Sequence, residues 1–185
     1  MGNAVDIAKI KEAVRMIIEA IGDDANRDGL VDTPERVANM YDELFRQNNN
    51  DGNKMFTVEN LNDELVTIKN ISFCSICEHH LLPFYGNVDV IYMPENCNVL
   101  GLSKFARIID NLSHRLQIQE RLTSDIANSI LGITKTKFVY VKTSASHLCM
   151  SIRGVKQHDT RTIVCTIKGD LKDDINLLNR ARILL

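Results

Sequence analysis

The 185-residue chain contains no apolar run approaching the roughly 20 residues of a membrane span. Its opening stretch, MGNAVDIAKIKE, lacks the apolar core of a signal peptide, and Asp6 stands where a myristoylation signal wants Ser or Thr. Net charge is also scarce. Lys and Arg number 22 against 24 Asp and Glu, a balance of −2 that draws the molecule toward neither nucleic acid nor an anionic membrane. There is no internal repeat, and no low-complexity tract beyond three asparagines in a row. A disulfide framework is disfavoured too: the cysteines are five, an odd number, at Cys74, Cys77, Cys97, Cys149 and Cys165. These absences predict a soluble, cytoplasmic protein without nucleic-acid or membrane partners, in which any phosphorylated ligand must meet a local basic cluster.

What is present is enough hydrophobic material, 44%, for one sizeable core burying roughly 70% of the unfolded surface. Val5, Ile10, Val14, Ile17, Ile18 and Ile21 recur at three- and four-residue steps and predict a helix over residues 3–21. DTPERVANMYDELF predicts a second, with Thr33 as N-cap and Pro34 at the first helical position. The polar RQNNNDGNK reads as a hinge, placing an N-terminal helical segment at 1–53 and a second domain at 54–185. The period then becomes two. ELVTIKNISFCS and YGNVDVIYM read as strands, with Val88, Val90 and Tyr92 on one face. GLSKFARIIDNLSHRL and IQERLTSDIANSIL read as helices, and KFVYVKTSA and TRTIVCTIKG as strands again. The order predicts an α+β domain, an antiparallel sheet carrying two helices on one face.

The chemistry concentrates in SFCSICEHHLLPFYG. Cys77 and His80 stand three apart, so one turn aims both at a single ion; a catalytic zinc wants a third N or S donor and an open position. ASHLCMSIRG offers Cys149 and His147, which fall on the same face if that segment is extended. Cys74 completes a C-x-x-C with Cys77, an ambiguous spacing, whereas Cys97 and Cys165 lie in ordinary contexts without a nearby His. GLSKFAR places Ser103, Lys104 and Arg107 at a helix start, where free N–H groups favour an anion, although a capped helix with solvated basic residues explains that heptamer equally well. Arg153 adds a guanidinium suited to bidentate phosphate contact. Gln119 and Glu120 follow; a carboxylate can accept two parallel hydrogen bonds from the ring N–H and exocyclic amine of guanine, although without the metal site a helix-surface Glu paired with Arg is the better explanation.

CEHHLLPFYG, GLSKFARI, QIQERLT and HLCMSIRGV, in this order, with RDGLVDTPERVANMYDEL upstream, closely resemble the GTP cyclohydrolase I family. The resemblance implies Zn2+ bound by Cys77, His80 and Cys149, and catalytic imidazoles at His79 and His147. It implies guanine recognition by Glu120 with Gln119 beside it, and triphosphate contacts from Ser103, Lys104, Arg107 and Arg153, with Arg36 reaching in from a neighbouring subunit. The implied fold is the tunnelling fold, a four-stranded antiparallel sheet with two helices on one face, preceded by the helical segment. The implied assembly is a homo-oligomer, a toroidal decamer of two pentamers with sites between subunits. The implied reaction converts GTP and water to 7,8-dihydroneopterin triphosphate and formate, with an imidazolium at His147 donating to ring nitrogen 7 and His79 serving later proton transfers. Three positions depart from the family or lie outside its ligand set: Asn39, where members often carry Lys; Leu116, where some carry Pro; and Cys74, which is not a family ligand and reads as a structural thiol. A structural zinc in a non-catalytic protein is the rival reading, and it needs a fourth ligand from Cys74 or His147. Another tunnelling-fold enzyme would need a nucleophilic Cys with NADPH, or three His on zinc.

Overall fold

The computed structural model describes residues 5–47, 55–58, 64–96 and 98–184. Most of the expected hinge, the predicted domain boundary and Cys97 lie outside the described residues. The chain divides into two compact units, Met1–Asn48 and Asn49–Leu185.

The first unit is a pair of helices, α1 (Ile7–Ala20) and α2 (Thr33–Phe45). Asp6 starts α1 by accepting from the Lys9 backbone N–H at 3.0 Å, so the helix begins later than apolar spacing alone predicts. At α2 the N-cap position falls on Asp32, one residue before the predicted Thr33, and Pro34 sits in the first turn. The Asp32 carboxylate caps nothing; it pairs with Arg36 at 3.2 Å. Ile18, Ala25, Pro34 and Ala38 are buried within this unit, and Lys11 reaches Glu35 at 2.6 Å. Ile17 and Ile21, part of the predicted stripe, stay exposed within the chain.

The second unit is built on a sheet of order β5-β2-β3-β6-β7, from β2 (Val66–Cys77), β3 (Pro83–Tyr92), β5 (Leu116–Gln117), β6 (Val139–His147) and β7 (Thr162–Lys168). The four long strands are antiparallel, as predicted. The two-residue β5 is a parallel addition, pairing Gln117 with Cys77; the predicted helix around Leu116 is interrupted there. β1 (Met55–Thr57) and β4 (Asn98–Leu100) form a separate small ladder.

Helices α3 (Leu102–Ser113) and α4 (Gln119–Thr134) cover one face of the large sheet. Strand alternation sends Val88, Val90, Tyr92, Val139 and Val141 into that layer, where they meet Phe105, Ile109, Leu122, Ile126 and Ile130, all fully buried. A further helix unforeseen from the sequence, α6 (Ile175–Leu184), sets Leu177 and Ala181 against Ile91 and Phe138. Ile91 alternates with Val90 and Tyr92, so α6 lies on the opposite face. It sits at the end where β6 begins. The other end of the sheet, where β2 and β6 finish and β3, β7 and α4 start, is left open.

Candidate active site

That open end gathers seven of the candidate site residues. β2 stops at Cys77 and reverses through Glu78–Leu82 into β3; the turn closes with Leu81 N–H donating to the Cys77 carbonyl at 2.9 Å and Cys77 N–H to the Leu82 carbonyl at 2.9 Å. Leu81 takes a left-handed φ of 54°, which bends the chain back within one turn. This aims Cys77 and His80 the same way. The third donor arrives differently from the prediction: His147 is the last residue of β6, and Cys149 lies in a one-turn helix, α5 (Leu148–Ser151). The segment is therefore not extended through Cys149, and it is the helical turn that carries the thiol to the cluster. The donor atoms of Cys77, His80 and Cys149 all lie within 4.8 Å of one another.

Burial, reinforced by the Cys77 thiol alongside, pushes the Cys149 thiol above its usual range. Two thiols crowded with an imidazole favour a soft or borderline cation, which stabilises thiolates and removes that penalty. The set fits zinc. It supplies three protein donors, and among the described residues neither Cys74 nor His147 joins it. Cys74 is exposed on β2, and burial of the thiol group raises its pKa, so neither a closed four-ligand site nor redox pairing with Cys77 has support.

Beside the cluster is a cavity of about 220 Å³ whose walls include Cys77, His79, His80, His147, Cys149 and, from the start of α4, Gln119 and Glu120. Glu120 lies in the first turn of α4, where the helix dipole favours a carboxylate. His79 is exposed, with Nδ1 3.9 Å from the Cys77 sulfur. His147 is half-buried and stacked on Phe84, ring centroids 4.9 Å apart and planes 2° from parallel. Burial pushes its imidazole below the usual range, while the Glu120 carboxylate pulls the other way.

Residues 10–184 match the GTP cyclohydrolase I family. The chain belongs to it. Three relatives, each named GTP cyclohydrolase 1, come from Bacillus mycoides (strain KBAB4), Bacillus cereus (strain B4264) and Bacillus anthracis (strain CDC 684 / NRRL 3495). Each is 46% identical over 174 residues, covering 92% of this chain and 91% of the relative. Among solved structures, an archaeosine synthase QueF-Like in its apo form aligns with TM-score 0.46 and 20% identity, over 57% of this chain and 93% of that one.

Against the family expectation, seven of the singled-out residues come together: Cys77, His79, His80, Gln119, Glu120, His147 and Cys149. Ser103, Lys104, Arg107 and Arg153 do not line this cavity, and Arg36 belongs to the other unit. Two features escaped sequence reasoning. Arg121 grips Glu78 through two hydrogen bonds, 2.7 and 3.2 Å, tying the Glu78–Leu82 turn to α4. Gln119 is 1% exposed and turned into the protein. A signal for the second was available: Gln119, Leu122, Thr123 and Ile126 recur at helical spacing, which puts Gln119 on the core stripe. The first had none, because its partners are 43 residues apart.

Proposed function

We propose that this protein is a zinc-dependent GTP cyclohydrolase I, converting GTP and water to 7,8-dihydroneopterin triphosphate and formate in the cytoplasm. The observation that carries the reading is the Cys77–His80–Cys149 cluster opening onto a cavity that also holds a carboxylate and two imidazoles. Those three residues would hold the zinc, which when bound supplies Lewis acidity and makes water a competent nucleophile near neutral pH.

The chain's own groups take the remaining tasks. Glu120 accepts from the ring N–H and the exocyclic amine of guanine, a pair of donors no other common base presents together. His147, as the imidazolium, donates a proton to ring nitrogen 7, which makes carbon 8 attackable, and is left as the neutral imidazole. Hydrolysis there opens the imidazole ring, and a second hydrolysis releases carbon 8 as formate. The ribose then opens, rearranges and closes onto the base with loss of one water, so the net consumption is one water. His79 serves the proton transfers of that rearrangement. Ser103, Lys104, Arg107, Arg153 and Arg36 bind the triphosphate. Arg36 reaches in from a neighbouring copy, in a toroidal decamer of two pentamers with sites between subunits; that Ser103, Lys104, Arg107 and Arg153 do not line this cavity supports a site shared between copies.

The deciding experiment incubates zinc-loaded protein with GTP and follows formate and a pterin chromophore. Stoichiometric formate with the chromophore is expected; tight GTP binding without either product would instead support a non-catalytic binding protein.

A further inference from the structure

We infer that Gln119 is a positioning residue: it holds His147 as the tautomer protonated on Nε2, so that Nδ1 is the ring's atom for substrate. This departs from the resemblance, which counts Gln119 beside Glu120 among the substrate-binding residues, and it rests on His147 being a proton-transfer group.

The geometry is a chain of hydrogen bonds whose direction is set at one end. The Gln119 side-chain nitrogen lies 3.0 Å from the Thr162 carbonyl and 3.3 Å from the Thr143 carbonyl. Carbonyls only accept, so the amide nitrogen must face them and Oε1 must face the other way. Oε1 meets His147 Nε2 at 2.9 Å. An amide oxygen cannot donate, so Nε2 carries the hydrogen. The remaining hydroxyls agree with this order. Gln119 Nε2 also donates to Thr143 Oγ1 at 2.9 Å; Thr143 then donates to Thr123 Oγ1 at 2.8 Å, and Thr123 to the Gln119 carbonyl at 2.7 Å. The two amide hydrogens serve the Thr162 carbonyl and the Thr143 pair of oxygens, one of them shared between the Thr143 carbonyl and Oγ1.

The network is deeply buried, with Thr123 and Thr143 fully enclosed, so flipping the amide would set its oxygen against two carbonyls with no water to intervene. Phe84 fixes the ring plane and Gln119 fixes its rotation. Nδ1 has no protein partner among the described residues. A Gln119 bound to guanine would have to abandon three acceptors and His147 together.

The test uses zinc-loaded protein labelled with 15N-histidine, at alkaline pH where imidazoles are neutral. Long-range 1H–15N correlations should give His147 a protonated Nε2 and a bare Nδ1. Gln119→Met, close in volume but without the acceptor, should abolish that single-tautomer signature and leave zinc content intact. It should lower kcat about 10–100-fold, the usual cost of losing a partner that orients a functional group, with KM for GTP nearly unchanged. Thr143→Val, one link further away, should produce the same signature change more weakly, and serves if Gln119→Met does not fold. A wild-type His147 protonated on Nδ1 overturns the inference. So does a Gln119→Met protein with raised KM, relaxed preference for GTP over ITP and an unchanged tautomer, which would return Gln119 to the base. If the tautomer changes while kcat does not, Gln119 still positions the ring, and it is the proton-transfer role of His147 that fails.

Discussion

Substituting alanine for Gly86 perturbs the sheet that carries the site. Gly86 lies in β3 opposite Ala145 of β6, and two register steps away Phe84 faces His147. A Cβ on Gly86 would fall 1.9 Å from the Ser144 carbonyl oxygen and 2.8 Å from the Ala145 Cα, where ordinary contact begins at 3.4 Å. Both obstacles are backbone, so no side chain can swing aside. The strands must part locally by about 1.5 Å in a sheet spaced at about 4.8 Å. Losing two ladder hydrogen bonds costs about 2 kcal/mol, and overpacking adds about 1–3 kcal/mol, for a total of about 3–5 kcal/mol. In a protein of this size that lowers Tm by about 6–20 °C. Scanning calorimetry of the zinc-loaded variant against the parent measures it, and metal content reports whether the Cys149 side of the site has moved. A Tm within about 2 °C of the parent would refute the close-approach argument.

Cys149→Ser should remove zinc and activity together, since two protein donors are too few for a tight site; stoichiometric zinc in that variant overturns the ligand assignment. Glu120→Gln should abolish GTP turnover with zinc content intact, because an amide donor would face guanine's donors where the carboxylate accepts; retained preference for GTP over ITP would show that Glu120 does not read the base. Arg121 holds the Glu78 carboxyl below its ordinary range, so this tie of the Glu78–Leu82 turn to α4 is fully present above the unfolded carboxyl pKa of about 4.3 and is lost as pH falls through the lower folded value. Hydrogen exchange in the Glu78–Leu82 turn should rise over that acidic window in the parent, but not in Arg121→Met, whose turn is already released. Mixing Arg36→Ala chains with Cys149→Ser chains, with exchange verified by mass spectrometry and GTP sub-saturating, should restore part of the activity. No recovery means that Arg36 does not serve a neighbour's site.

From the sequence alone, the alternation of Val88, Val90 and Tyr92 and the helical recurrence of Leu122, Ile126 and Ile130 determined an antiparallel sheet with helices against it. These are local periodicities, and a single face had to be buried. The Cys77 and His80 spacing likewise determined a turn with two donors, and the ordered motifs determined the family. Tertiary structure alone decided the rest. Cys149 reaches the cluster through a helical turn rather than an extended strand, because β6 ends at His147. α6 closes the second face at the end away from the site, through contacts with Ile91 and Phe138 far off in sequence. Gln119 turns inward because the Thr143 and Thr162 carbonyls await it at the foot of α4, whereas Glu120, one residue later and about 100° around the helix, faces the cavity. Adjacent residues of similar size and polarity therefore take different partners. The sequence sets the spacing of the groups; which acceptors they meet depends on segments 24 and 43 residues away.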